Sequence, residues 1–269
     1  MQKKLNILTI AYLIFIMMLA LSGYFSGIVS ELVYYLAFII PIAFSLGLTK
    51  KGRAEGKNYL LLNSDRIKLT LPLIAPTVSV VAIISFLTSL VMYFISGRTN
   101  NPDIGDSFIL ALILHALLPA IFEEILFRYL PLRLLSGHSR RATVILSAFF
   151  FALVHHNLFT IPYAFIAGLI FMAVDIAFDS IIPSIIIHFV NNAISVGLII
   201  FADNAAFGPT VYVILGILCL ISLYFILKKK KLYLKEFSSV LEKGEGIIFN
   251  AEMLLFALLN IAIAIISII

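Results

Sequence analysis

Apolar runs of about twenty residues recur from one end of the chain to the other, and this recurrence limits the fold more than any other feature. A helix needs about 20 residues to cross a hydrocarbon core roughly 30 Å thick. The stretches 5–24, 28–48, 70–96, 107–130, 142–160, 163–178, 181–201, 209–227 and 247–269 meet or approach that length. Lipid offers the backbone no hydrogen bonds, so each run must satisfy its own amides, as a helix does. The sequence therefore predicts an all-α, polytopic membrane helix bundle of about eight to nine transmembrane helices. Segment 163–178 is short for a crossing, and Asn250, Glu252 and Asn260 interrupt the last run. Composition closes off the alternatives. Of the 269 residues 62% are hydrophobic and 12% charged, against roughly 45–50% and about 25% in soluble domains. A soluble fold could not cover that apolar surface, and disordered chains are polar and poor in aromatics.

The charges sort by loop. Lys50, Lys51, Arg53, Lys57, Arg66 and Lys68 lie between the second and third runs; Arg133, Arg140 and Arg141 follow the fourth; Lys228–Lys231, Lys235 and Lys243 follow the eighth. The alternate loops hold Asp103, Asp106 and Asp203, with Arg98 as the base. Basic loops stay in the cytoplasm, so the N-terminus and these loops are placed there, and the net charge of +5 reports orientation rather than nucleic-acid binding. Lys3 and Lys4 before the first run resemble a secretory signal, but with no small-residue cleavage site the run reads as a retained helix. The chain is read as one integral membrane domain, 1–269. It divides into candidate catalytic helices at 107–201 and a basic cytoplasmic loop at 228–246, with 49–69 and 228–246 suited to lie along the membrane surface. A single cysteine, Cys219, excludes an internal disulfide and a multi-cysteine metal site. It reads as a buried small hydrophobe.

Ionisable groups inside a bilayer are costly, and they face partners or wet cavities. The fourth run contains Glu123, Glu124 and Arg128. Glu124 and Arg128, at i and i+4, share a helix face, while Glu123 points about 100° away. The simplest division has Arg128 neutralise Glu124 and Glu123 face a cavity, where a carboxylate suits a general base acting on water. The fifth run ends in Phe151-x-x-x-His155-His156-Asn157, and the seventh holds His188-x-x-x-Asn192. At 1.5 Å per residue Glu123 lies ~18 Å from the cytoplasmic end of its helix and His155 ~21 Å beyond Arg141. His188 lies only ~10–13 Å from the turn at 179–181, which predicts a turn recessed into the membrane and a cavity open toward the cytoplasm. Asp175 and Asp179 flank that turn as rim or turn residues, with a cation site as the lesser alternative. His115, His138 and His156 read as core histidines. Asp103-Ile-Gly-Asp106 resembles an intramembrane aspartyl motif only faintly, and it falls in an outer loop. There is no His-Glu-x-x-His zincin motif and no Gly-x-Ser-x-Gly elbow.

Taken in order, Glu123-Glu124-x-x-x-Arg128, Phe151-x-x-x-His155 and His188-x-x-x-Asn192 resemble the three-motif signature of the CPBP intramembrane proteases. This is the CAAX-protease and bacteriocin-processing family, also called Abi, which includes prenyl-protein endopeptidases. Tyr129 stands where the family often has Gly. The resemblance implies that Glu123 and His155 activate the attacking water and that His188 and Asn192 stabilise the oxyanion. Glu124, Arg128 and Phe151 would support them. It leaves a metal open: Glu123, His155 and His188 could ligate zinc, but a zinc-bound glutamate is not free to act as base, so glutamate-activated water is the favoured reading. The implied enzyme is an intramembrane endopeptidase of the cell membrane. Its site would open toward the cytoplasm, with membrane lipid and a peptide or protein substrate, prenylated or not, as partners. Two other classes fit the intramembrane charges: a proton- or cation-coupled transporter, and a non-catalytic bacteriocin-immunity type of binding protein. The sequence names neither the substrate nor the oligomeric state.

Overall fold

The computed structural model describes residues 2–49, 59–61, 63–97, 104–105, 107–244, 246 and 251–266. Among them there is no strand. The elements are α1 (Gln2–Ser22), α2 (Gly27–Thr49), α3 (Ser64–Ser96), α4 (Phe108–Leu134), α5 (Arg140–Leu153), α6 (Ile161–Phe178), α7 (Ile182–Ile200), α8 (Phe207–Lys228), α9 (Lys230–Ser238) and α10 (Ala251–Ile266). Seven of these are long and apolar enough to cross a membrane. The others are α5, α9 and α10. Lys50, Lys51, Arg53, Lys57, Arg98, Asp103, Asp106 and Asn250, which entered the sequence reading, lie outside the described residues.

Local chemistry sets the boundaries that differ from expectation. The fifth run stops being helical at Leu153, not at residue 160. The polar trio that follows offers the backbone other partners. The His155 imidazole bonds the Phe151 carbonyl at 2.8 Å, the Asn157 side chain accepts from the Phe159 amide at 2.8 Å, and His156 takes φ +50°. Pro162 then sits in the first turn of α6, where its missing amide costs nothing. The described part of the last run is helical over 16 residues, Ala251–Ile266, where a crossing takes ~20. Its Asn260 is fully buried: the side-chain amide donates to the Phe256 carbonyl and the oxygen meets His156. Within the 228–246 stretch α9 is helical, as a short surface helix was expected to be, and it packs on α6.

α4 is not one uniform helix. Leu112–Leu117 and Ile125–Tyr129 are π-helical, and Leu118–Glu124 between them is α-helical. Pro119 and Pro131 lie just past the two π segments. A proline inside a helix lacks the amide for the i−4 carbonyl and its ring collides with that carbonyl. The wider π turn makes room for it, and such turns recur at functional sites.

The main core joins α1, α2, α4, α5 and α10 through buried rings. Tyr12 stacks on Phe127 at 5.1 Å, and Phe150 meets Phe256 edge-on at 4.7 Å. α5 and α6 approach closely at Gly168, where an added Cβ would lie 2.9 Å from the Ala148 Cα and 3.3 Å from Phe151. α2 packs on α1 and α4, whereas α3 packs on α6, α7 and α8.

The end of the bundle that carries the basic residues is tied shut. Arg66 of α3 donates to the Phe178 carbonyl and pairs with Asp179 at 3.7 Å and Glu236 at 3.6 Å. Arg140 pairs with Glu242 at 3.0 Å. The Tyr59 carbonyl accepts the Ile181 amide at 2.9 Å. The Tyr233 hydroxyl of α9 donates to the Leu69 carbonyl at 2.8 Å, and burial pushes that phenol up to about 12, so the donor keeps its proton at neutral pH. Asp179 closes α6 in the left-handed region at φ +51°, which Asp tolerates better than most side chains. It is a turn residue held by Arg66.

Candidate active site

Glu124 is the centre of a fully buried polar cluster. Its Oε2 lies 3.2 Å from Arg128 Nε, and both side chains are 0% exposed. That ion pair is close but off-axis, and all three guanidinium nitrogens lack an aligned hydrogen-bond partner. The guanidinium instead lies 4.1 Å over the Phe151 ring and 5.5 Å from Phe171, so the cation is held by a carboxylate on one side and ring faces on the other. The other carboxylate oxygen, Oε1, lies 2.7 Å from His188 Nδ1. A carboxylate accepts, so Nδ1–H is the donor, and this bond fixes the ring. Sequence reasoning paired Glu124 with Arg128 and left His188 unpartnered on its own helix. α4 and α7 pack together and supply the second partner.

Glu123, one residue earlier, faces elsewhere. Its Oε2 lies 3.8 Å from His188 Nε2, and its side chain borders a cavity of about 720 Å³. Phe151, His155, His188, Asn191 and Asn192 border the same cavity. The residues of all three motifs that were expected to meet substrate therefore converge, from α4, the end of α5, and α7. His155 reaches the cavity because α5 ends just before it. Its Nδ1–H donates to the Phe151 carbonyl, which leaves Nε2 with the lone pair in the neutral ring. The Phe151 ring stands edge-on to His155 at 5.0 Å and to His188 at 5.9 Å, so it separates and positions both imidazoles. Asn191 Nδ2 donates to Asn192 Oδ1 at 3.2 Å, which leaves the Asn192 amide N–H groups as its donors.

Three residues have a larger part than the sequence indicated. Asp175 is not a rim residue. It is 0% exposed and accepts the Ser184 hydroxyl at 2.7 Å and the Ser184 amide at 3.2 Å. Ser184 is in the first turn of α7, whose opening amides have no partner within the helix, so Asp175 caps the helix that bears His188 and Asn192. His115, read as a core histidine, is exposed and borders the cavity. So does Glu31 of α2, an acid in an otherwise apolar run that could have been noticed by that alone. His138 is buried away from the site, with Nδ1 unpartnered. Cys219 is half-buried.

Among the described residues no group of three His, Cys, Asp or Glu side chains is arranged to hold a metal ion. His155 and His188 both engage Nδ1, which leaves Nε2 as the atom each ring turns to a reacting group.

The cavity runs away from the end of the bundle that carries the basic residues. Its lining climbs from Glu123 to His115 on α4, from Val78 to Ser89 on α3, and from His188 to Ile199 on α7. Glu31 and Tyr212 border it near the starts of α2 and α8. All of these lead away from the basic end, which the Arg66, Arg140 and Tyr233 contacts close.

No curated protein and no solved structure matches the chain. Over residues 105–194, which hold all three motifs, the chain matches the family described as type II CAAX prenyl endopeptidase Rce1-like, and this bears out the likeness to the CPBP intramembrane proteases.

Proposed function

We propose that the protein is an intramembrane endopeptidase that hydrolyses a peptide bond with water activated by Glu123 and His155. The observation that carries this reading is the convergence of Glu123, His155, His188 and Asn192 on one cavity inside the family-matched segment. A water between the Glu123 carboxylate and His155 Nε2 gives up its proton to one of them as its oxygen bonds to the carbonyl carbon. The carbonyl oxygen becomes an oxyanion, for which donors in a site of low dielectric are worth most. Asn192 offers an amide N–H. His188 offers Nε2–H when its ring carries both protons, since Nδ1–H is committed to Glu124. The C–N bond then breaks, and the proton taken from water passes to the leaving amine. Glu124, Arg128 and Phe151 act through the groups they hold, and no step passes through a metal.

The test compares peptide termini in membranes that carry the wild-type protein or Glu123→Gln. A fragment present only with wild type supports the proposal and locates both substrate and bond. Identical termini in the two membranes, with both proteins folded and equally abundant, would overturn it.

A further inference from the structure

Among the described residues the active-site cavity is covered at one end and open at the other. At the closed end α9 and the Tyr59 segment cover the α6–α7 turn, fastened by Arg66, Tyr233 and the Ile181 amide. At the other end the bordering residues Glu31, Phe86, His115, Ser195, Ile199 and Tyr212 are all exposed. The mouth lies between α2 and α3, which pack on different neighbours and face each other across the cavity through Tyr34 and Tyr35 on one side and Ser85 and Ser89 on the other. The closed end is the basic one, and basic loops stay in the cytoplasm. The open end therefore faces the opposite side of the membrane.

We propose that the substrate is a peptide segment presented from the membrane face opposite the basic loops, reaching Glu123 through the mouth between α2 and α3. This rests on the endopeptidase reading and adds the side and the route. The lining suits such an occupant. Aliphatic and aromatic side chains take its side chains. The hydroxyls of Ser85, Ser89 and Ser195 supply hydrogen bonds that a main chain inside a membrane must find in protein. A volume of about 720 Å³ is within the range of roughly 300–1,000 Å³ typical of small-ligand pockets. It holds a few extended residues and no folded domain. A substrate tail confined to the cytoplasm would meet the closed end.

Thiol accessibility tests the route independently of catalysis. In a Cys219→Ser background, Ser89→Cys and Tyr212→Cys are labelled with a membrane-impermeant thiol reagent in sealed cells and in inverted membrane vesicles, with Lys229→Cys marking the basic end. The proposal expects at least tenfold more labelling of the two cavity cysteines in cells than in inverted vesicles, and the reverse for Lys229→Cys. Adding Glu123→Gln should leave these patterns unchanged, so a failed endopeptidase reading would leave the accessibility result standing. Cavity cysteines labelled only in inverted vesicles, or from neither side, would overturn the proposal, as would labelling of all three positions from one side.

Discussion

Glu123 and Glu124 are neighbours in the chain with different surroundings. Glu124 is enclosed by Arg128 and His188, whereas Glu123 borders the cavity, and substitutions should separate the two roles. Glu123→Gln keeps the shape and removes the base. It should lower kcat by about 10²–10⁴-fold, the usual contribution of a general base, with the melting temperature in detergent unchanged. Asn192→Ala removes a candidate oxyanion donor and should cost about 10²–10³-fold in kcat, with little change in KM, as single-turnover assays can read. Arg128→Met should instead act on stability, because breaking a buried pair costs about 3–5 kcal/mol. Adding Glu124→Gln to Arg128→Met should recover part of that stability but not activity, since His188 loses its carboxylate. Thermal unfolding and turnover measured on the same preparations distinguish the two effects. The Glu124–Arg128 pair was legible in the sequence because i, i+4 neighbours on one helix meet whatever the tertiary fold. The Glu124–His188 bond joins residues 64 apart, and no local rule brings them together.

At the scale of elements, α4 and α5 do most to shape the site. The two π segments of α4 bracket the glutamates, and α5 ends where His155 can turn into the cavity. Hydrophobic runs show where a helix can be, but a run of the same length is consistent with α5 ending at Leu153 or continuing to 160. The choice rests on side-chain hydrogen bonds by His155 and Asn157. The α5–α6 contact is similarly local and demanding. Gly168→Ala places a methyl against the Ala148 backbone that cannot yield cheaply. Overpacking of this kind costs about 1–3 kcal/mol, and any separation of the helices moves Phe151 from beneath both imidazoles. The expected result is a lower melting temperature together with a fall in kcat, read by detergent melts and peptide cleavage. The Asp175 cap of α7 is a further device that loop-based reading missed, because Asp175 and Ser184 meet only when α6 and α7 fold back on each other.

For the whole molecule, the proposal of glutamate-activated water gives a prediction about cofactors. Activity should withstand strong divalent-metal chelators, and purified active protein should carry no stoichiometric zinc. Loss of activity on chelation, with recovery on adding zinc, would reassign the chemistry to a metal. What the sequence determined by itself is what lipid and helix periodicity impose on any chain of this kind: an all-helical membrane bundle, the segregation of basic loops to one end, and the helix faces on which Glu124 meets Arg128 and His188 precedes Asn192. These follow from solvent and from spacing within one helix. The tertiary structure decided which helices meet, and so which side chains share a cavity. It gave Glu124 its second partner and drew His115 and Glu31 to the cavity wall. It also covered the basic end with α9, and the described lining of the cavity leads away from that end. Depth counted along single helices measures how far a residue lies from a loop but not whether another element covers the space between. Only packing between helices settles that.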